Sequence, residues 1–262
     1  MTKRALSSKQ KYPQDIKENE LSLKRKILSK NSAQSYYLDC LEHETITFGV
    51  GPAGTGKTYL AVGVALKKLI ANQVARLVIT RPVVEAGEKL GFLPGTLEEK
   101  IHPYLLPIVD SIEDWVGPTK AKQLFTGGKI EVAPLAYMRG RTFNDSFLIL
   151  DEAQNATVEQ MRMFLTRFGY GTFVAVNGDL TQSDLPNSAI RENGLRWAAR
   201  KLSGKLSNIC VVNFKEEDIV RHPLITDILK HLDSPDPRVT NFKSKGDFVT
   251  QKQEMSLLVA SA

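Results

Sequence analysis

The chain has 262 residues, 42% of them hydrophobic and 24% charged, the balance of a soluble globular protein with room for one large α/β domain and extensions. Its longest apolar runs are broken by Lys or Gly well short of the roughly 18 residues that span a bilayer, and no apolar core or cleavage site follows the basic start. A membrane partner and a secretory leader are therefore not expected, and the cytoplasm is the default compartment. Cys40 and Cys210 are the only cysteines, too few for a metal site and without a disulfide framework, which fits a reducing compartment.

Charge is placed unevenly. Residues 1–30 hold nine Lys or Arg against three acids, which accounts for the whole formal net charge of +6. Such an arm is attracted to phosphate backbones without reading sequence, or serves as a solvated leader. It carries only a weak apolar repeat, enough for at most one short helix. Asn31-Ser32 then caps a helix that runs toward an apolar strand. On that helix the Gln34 carboxamide is placed to pair with an adenine edge, and Tyr36 or Tyr37 to stack on the ring; the plainer reading of an amide there is solvation.

The strand Thr45–Val50 leads into Gly51-Pro52-Ala53-Gly54-Thr55-Gly56-Lys57-Thr58, a complete match to the phosphate-loop pattern G-x-x-x-x-G-K-[ST]; the helix continues from Tyr59, and the run from Gly51 to Tyr59 is the candidate nucleotide-binding segment. Glycines turn backbone N–H groups inward on an anion, and the helix N-terminus adds its positive end. Lys57 reaches the β and γ phosphates, and the Thr58 hydroxyl ligates magnesium. The bare pattern arises by chance on the order of once per hundred chains of this length, and the strand and helix flanks lower that further.

The next apolar strand closes on Thr80-Arg81-Pro82, which puts Arg81 at the C-terminal edge where parallel sheets bind ligands and makes it, with the basic loop further along the chain, a candidate contact for nucleic acid. Residues 87–95, Gly-Glu-Lys-Leu-Gly-Phe-Leu-Pro-Gly, combine turn formers with Leu90, Phe92 and Leu93, the composition of an ordered loop that packs on something, such as another subunit. Leu97 to Phe125 is helical in pattern, with breaks expected at Pro103, Pro107 and Gly117-Pro118. After the strand Ile130-Glu131-Val132 comes Tyr137-Met138-Arg139-Gly140-Arg141-Thr142-Phe143. Its cations and interleaved rings suit a single nucleic-acid strand, through Arg139 and Arg141, or a loop salt-bridged to its neighbours.

Phe147–Leu150 closed by Asp151-Glu152 has the form of a Walker B strand. Asp151 would hold magnesium, mostly through water, and Glu152 would orient or deprotonate the attacking water. Thr157 to Gln160 reads as a capping box opening a helix that Gly169 ends. A further strand, Thr172–Val176, runs into Gly178-Asp179-Leu180-Thr181-Gln182, whose Asp179 and Gln182 are placed to sense a γ phosphate. A helix over 190–202 and a strand at 209–212 follow. His222 lacks a partner pattern for metal or acid–base work, Pro223 opens a last helix, and residues from 233 on have the composition of a tail.

Together and in this order, the runs GPAGTGKT, TRP, GEKLGFLPG, YMRGRTF, DEAQN and GDLTQ resemble the PhoH family of ATPases, whose core is similar to the first RecA-like domain of superfamily 1 helicases. The resemblance covers about residues 31–232, between the arm of 1–30 and the tail of 233–262. It implies an α/β fold, a RecA-like P-loop NTPase core with a mostly parallel sheet sandwiched by helices. It also implies ATP and Mg2+ as ligands, a link to RNA, a cytosolic setting and a ring-like homo-oligomer, for which a hexamer is expected. By the same analogy Gln34 contacts adenine and Gln182 couples the γ phosphate to a bound strand. The additional nuclease or RNA-binding domain of some relatives is not expected in either end segment, nor is a second RecA-like domain. Phosphoryl transfer in this class draws roughly 10³ to 10⁵ in rate from an arginine. A neighbouring subunit is therefore expected to supply it, with Arg221 first and Arg191 second. The alternative to an ATPase acting on single-stranded nucleic acid is an ATP-gated assembly scaffold with little turnover; a small-molecule kinase would need a lid and an acceptor pocket.

Overall fold

The computed structural model describes residues 22–82, 97–183 and 193–221, with helical positions at 224, 225, 228 and 231. The chain divides into one unit ending at Val220 and a second beginning at Arg221. In the first unit, six strands form one parallel sheet: β1 (Ile46–Val50), β2 (Arg76–Arg81), β3 (Ile130–Pro134), β4 (Ser146–Leu150), β5 (Phe173–Gly178) and β6 (Ile209–Asn213), in the order β3-β2-β4-β5-β1-β6. Their sequences dictate this arrangement. β1 and β4 are buried at all five positions, so neither face can meet water and both must be covered by crossover helices.

Alternation along the strands divides the core. Leu77, Ile79, Phe147 and Ile149 face one layer of helices, while Val78, Leu148 and Leu150 face the other. The first layer contains α1 (Ser32–His43), α2 (Lys57–Ile70), α3 (Leu97–Val116) and α4 (Pro118–Thr126). The second contains α5 (Val158–Leu165) and α6 (Gly194–Leu202). This is the RecA-like α/β arrangement, with β5 inserted between the phosphate-loop strand and the Walker B strand. Because all strands run the same way, every strand C-terminus lies at one edge. The chain leaves β1 for β2 across two intervening strands, which opens a crevice at that edge.

Local signals set several boundaries. Asn31 caps α1 by accepting the Gln34 N–H, and Thr157 with Gln160 forms the full capping box of α5. α5 stops at Leu165 rather than at Gly169, and Phe168 instead bridges to Phe143. The breaks expected at Pro103 and Pro107 are not there: α3 runs unbroken from Leu97 to Val116, and only Gly117, at φ 89°, interrupts it before α4. Pro107 lies on the exposed side, while Ile108, Ile112 and Trp115 bury one stripe against the core, and that packing outweighs the roughly 3 kcal/mol against an interior proline. Residues 22–30 form no helix. Leu23 and Ile27 pack on the core, Lys24 donates its N–H to the Trp115 carbonyl at 2.8 Å, and Arg25 pairs with Asp114.

The cysteines correct the reading from their number. Cys40 on α1 and Cys210 on β6 are joined as a disulfide, with Cα atoms 6.1 Å apart and 170 residues between them in sequence. The sheet sets β6 beside β1 and lays α1 over both, a juxtaposition that residue spacing does not reveal. The pair removes the inference from cysteine usage to a reducing compartment.

α2 is keyed to α3 by Gly63. A Cβ there would lie 2.7 Å from the Trp115 ring. That ring is fixed by a hydrogen bond from its Nε1 to the Tyr59 carbonyl, 3.0 Å, and by stacking on Tyr59 at 4.6 Å. Gly63→Ala gains about 1 kcal/mol of helix propensity but forces overpacking that costs about 1–3 kcal/mol. We expect a net loss of about 1 kcal/mol, seen as a lower denaturant midpoint with an unchanged slope.

Candidate nucleotide site

The loop between β1 and α2 is held on three sides. The Gly51 N–H donates to the Gly178 carbonyl at the end of β5, 3.1 Å, and the Phe214 N–H donates to the Val50 carbonyl, 2.7 Å. Val220 donates its N–H to the Gly54 carbonyl at 2.9 Å, and the Gln34 Nε2 donates to the Thr55 carbonyl at 2.9 Å. Gly51 has φ 145°, and a Cβ there would come within 2.3 Å of the Phe214 carbonyl oxygen. Gly56, at φ 82°, turns the chain into the first turn of α2. Pro52 and Ala53 form the outer rim, and Ala53 and Gly54 are exposed.

Lys57 is buried, with Nζ 2.7 Å from the carbonyls of Gly51 and Pro52 and 3.1 Å from the Thr55 Oγ1. Burial pushes its pKa down, against the pull of Asp179, Asp151 and Glu152. A desolvated ammonium inside a glycine-turned loop at a helix N-terminus favours an anion with several oxygens.

The acids lie beside it. Thr58 donates its Oγ1–H to the Asp151 Oδ1 at 2.5 Å. Asp151 is 2% exposed, and its Oδ2 accepts from Arg81 through Nε at 2.8 Å and through the terminal nitrogen at 2.5 Å. Glu152 is exposed and sits in the left-handed region at φ 53°, which for a residue with a Cβ costs about 1–2 kcal/mol. That conformation ends β4 abruptly and turns the Glu152 carboxylate toward the Arg81 guanidinium, 4.0 Å away. Gln154 joins the next motif: its Nε2 donates to the Glu152 Oε2 at 2.6 Å, and its Oε1 accepts the Asp179 N–H at 3.0 Å. Asp179 takes the Thr181 N–H and hydroxyl on Oδ1, and its buried Oδ2 has no hydrogen-bond partner among the described residues. Gln182 is exposed, three residues beyond.

The donors fit magnesium and a nucleotide phosphate. A hydroxyl and a carboxylate are hard oxygen ligands, few enough for a metal that keeps several waters and shares phosphate oxygens. No cluster of three or more His, Cys, Asp or Glu able to cage an ion occurs among the described residues.

Both polar ends of the Gln34 carboxamide are engaged, Nε2 on the loop and Oε1 accepting the Lys30 N–H at 2.8 Å, so Gln34 braces the phosphate loop. Tyr37 is fully buried and donates to the Asn177 Oδ1 at 2.6 Å, while Tyr36 is exposed, with its hydroxyl 3.5 Å from the Cys210 Sγ. Tyr59 turns away from the loop, donating its hydroxyl to Asp114 at 2.8 Å; burial first, and then Asp114, push the phenol up to about 12. Arg81 faces the acids, not open solvent. Arg141 grips Glu131 with two bonds, 2.5 and 2.7 Å, and stacks over Phe143, so the salt-bridged reading of that loop holds for it. Arg139 and Tyr137 point outward at the same sheet edge. Arg221 is exposed at the start of the second unit. Arg191, His222, Pro223 and the 87–95 loop lie outside the described residues.

Sequence reasoning missed Gln154 and the Tyr37–Asn177 pair. The run Asp-Glu-Ala-Gln-Asn contains the signal for the first, because a 3-10 turn over Ala153–Asn155 brings position 154 back under Glu152. No local signal marks the second. Tyr37→Phe would leave the buried Asn177 carboxamide with neither end bonded, since its Nδ2 has no partner among the described residues. We expect a loss of about 1–3 kcal/mol by urea unfolding.

Comparison with known proteins matches residues 26–233 to the family described as PhoH-like protein. A PhoH-like protein of Mycobacterium tuberculosis is 53% identical over 203 residues, covering 78% of this chain and 57% of that one. A PhoH-like protein of Bacillus subtilis is 44% identical over 234 residues, covering 88% and 72%. The chain thus spans a little over half the length of its mycobacterial relative. Among solved structures it is similar to the Pif1 helicase of Candida albicans, at 16% identity and a TM-score of 0.37, over 82% of this chain and 47% of that one.

Proposed function

The chain belongs to the PhoH-like protein family, and from that premise we propose that it binds ATP with magnesium, hydrolyses it, and couples the cycle to single-stranded nucleic acid, RNA before DNA. The observation that carries this reading is the meeting of Thr58 and Asp151 at 2.5 Å beside the buried Lys57, with Glu152 one residue on. Magnesium held by Thr58 and Asp151 would neutralise phosphate charge and orient the nucleotide. The protein's own residues do the rest. Lys57 and the loop N–H groups hold the phosphates, and Glu152, kept in place by Gln154, accepts a proton from the attacking water. Gln154 also links Glu152 to Asp179, and through that segment to Gln182, a route from the acid to a strand lying along the edge near Arg139 and Tyr137.

We further propose that the chain works as a homo-oligomer, a ring of six in the simplest closed form, in which a neighbour contributes Arg221 or Arg191 to the site. Its setting in this reading is the cytoplasm, where ATP is made and used; no helix among the described residues is long and apolar enough to cross a membrane.

The decisive experiment measures ATPase rate against protein concentration, with and without single-stranded RNA or DNA. Lys57→Ala is expected to abolish turnover, and Glu152→Gln to lower kcat by a factor of about 10² to 10⁴ while nucleotide binding survives. Specific activity should climb with concentration and with polynucleotide. A monomer with full, concentration-independent turnover would remove the ring. Nucleotide-dependent assembly with wild-type turnover no higher than Lys57→Ala would make the protein an ATP-gated scaffold.

A further inference from the structure

Arg81 has a place in the site that neither the phosphate loop nor the acids explain. The β2–β4 register sets Thr80 opposite Leu150, and the Asp151 N–H donates to the Thr80 carbonyl at 2.9 Å. The next residue of each strand is then Arg81 and Asp151. Their contact is fixed by sheet pairing, and the Arg81 side chain is only 17% exposed. Asp151 has two carboxylate oxygens: Thr58 uses Oδ1, and Arg81 uses Oδ2 with two of its nitrogens. Glu152 adds a second negative charge 4.0 Å from the same guanidinium. A carboxylate this buried requires a cation, and Arg81 is in contact with it.

From this geometry, and resting on the ATP reading above, we propose that Arg81 competes with magnesium for Asp151 and so sets the magnesium requirement of nucleotide binding. A guanidinium and a divalent ion on one carboxylate repel each other strongly at such distances in a partly dry site, so metal entry requires Arg81 to release Oδ2. Asp151 is thereby paired at every stage, first with a resident cation and then with an arriving one. The arrangement also keeps the two acids from collecting metal before phosphate oxygens complete its coordination. Arg81 is in this sense a positioning residue that acts through Asp151. The two other roles open to an arginine at this sheet edge, gripping a phosphate and gripping a nucleic-acid strand, predict different results.

The test is a magnesium titration of the binding of a fluorescent, non-hydrolysable ATP analogue to the full chain, comparing wild type with Arg81→Gln. The magnesium midpoint should fall about tenfold or more in Arg81→Gln, while metal-free affinity for the analogue does not fall. In the Asp151→Asn background, Arg81→Gln should shift nothing, the non-additivity that marks a direct pair. An unchanged or raised midpoint overturns the proposal. So does loss of metal-free analogue binding, which would make Arg81 a phosphate ligand, or an effect confined to polynucleotide affinity. If Arg81→Gln does not fold, Arg81→Lys, which keeps the charge but loses the two-pronged contact, should move the midpoint the same way by a smaller factor, and no movement there overturns it too. Wild type that binds no analogue at any magnesium concentration refutes the ATP reading itself, and the proposal falls with it. Wild-type binding with an unmoved midpoint sinks the proposal alone.

Discussion

Asp151 is a carboxylate 2% exposed to solvent, and keeping its charge in the protein interior is the constraint around which the site is organised. One oxygen takes the hydroxyl of the first α2 turn, the other takes the guanidinium at the end of β2, and its backbone N–H continues the sheet ladder. Two separate segments, the first turn of α2 and the end of β2, thus converge on one residue. Each depends on the parallel register of β2 and β4, because a slip of one residue would send Asp151 to the other face of the sheet.

The sheet imposes a second condition. Strands buried on both faces leave no surface for polar side chains along their length, so polar chemistry collects where the strands end. Below that edge lies a buried polar floor. Tyr37 reaches from α1 to Asn177 of β5, and Gly49 of β1 lies opposite Asn177, where a Cβ would come within 2.8 Å of its Oδ1. The phosphate loop is tied to the end of β5 by Gly51 and Gly178, and is held by Gln34 and by the backbone that follows β6. Elements distant in sequence therefore brace the loop, and its shape does not depend on its own glycines alone.

What could be read from the chain follows from how local each signal is. The phosphate loop, the Asp151-Glu152 pair, the Asn31 cap and the Thr157 capping box are written within a few residues, and each lies where the sequence puts it. Partners chosen by the tertiary structure were not legible. Arg81 could be assigned to the ligand edge but not to Asp151, 70 positions away, and Tyr37 could be called aromatic but not buried against Asn177, 140 positions away. The same holds for Cys40 and Cys210. Pro103 and Pro107 misled for the opposite reason: a strong local preference for ending a helix is overridden by the stripe of Ile108, Ile112 and Trp115.

The placing of the two tryptophans has an optical consequence. Trp115 lies in the core on one face of the sheet, stacked on Tyr59 at the start of the helix that bears Lys57 and Thr58. Trp197 packs on the opposite face, partly buried, with the Arg162 guanidinium 5.6 Å from its ring. They are the only indoles in the chain, so its intrinsic emission is expected to divide into a blue-shifted component from the dry α2–α3 contact and a redder one from α6 beside a cation. With Trp197 replaced by phenylalanine, the remaining light comes from one ring fixed against the first turns of the phosphate-loop helix. The protein carries its own dye at the point where movement of that helix would first be felt.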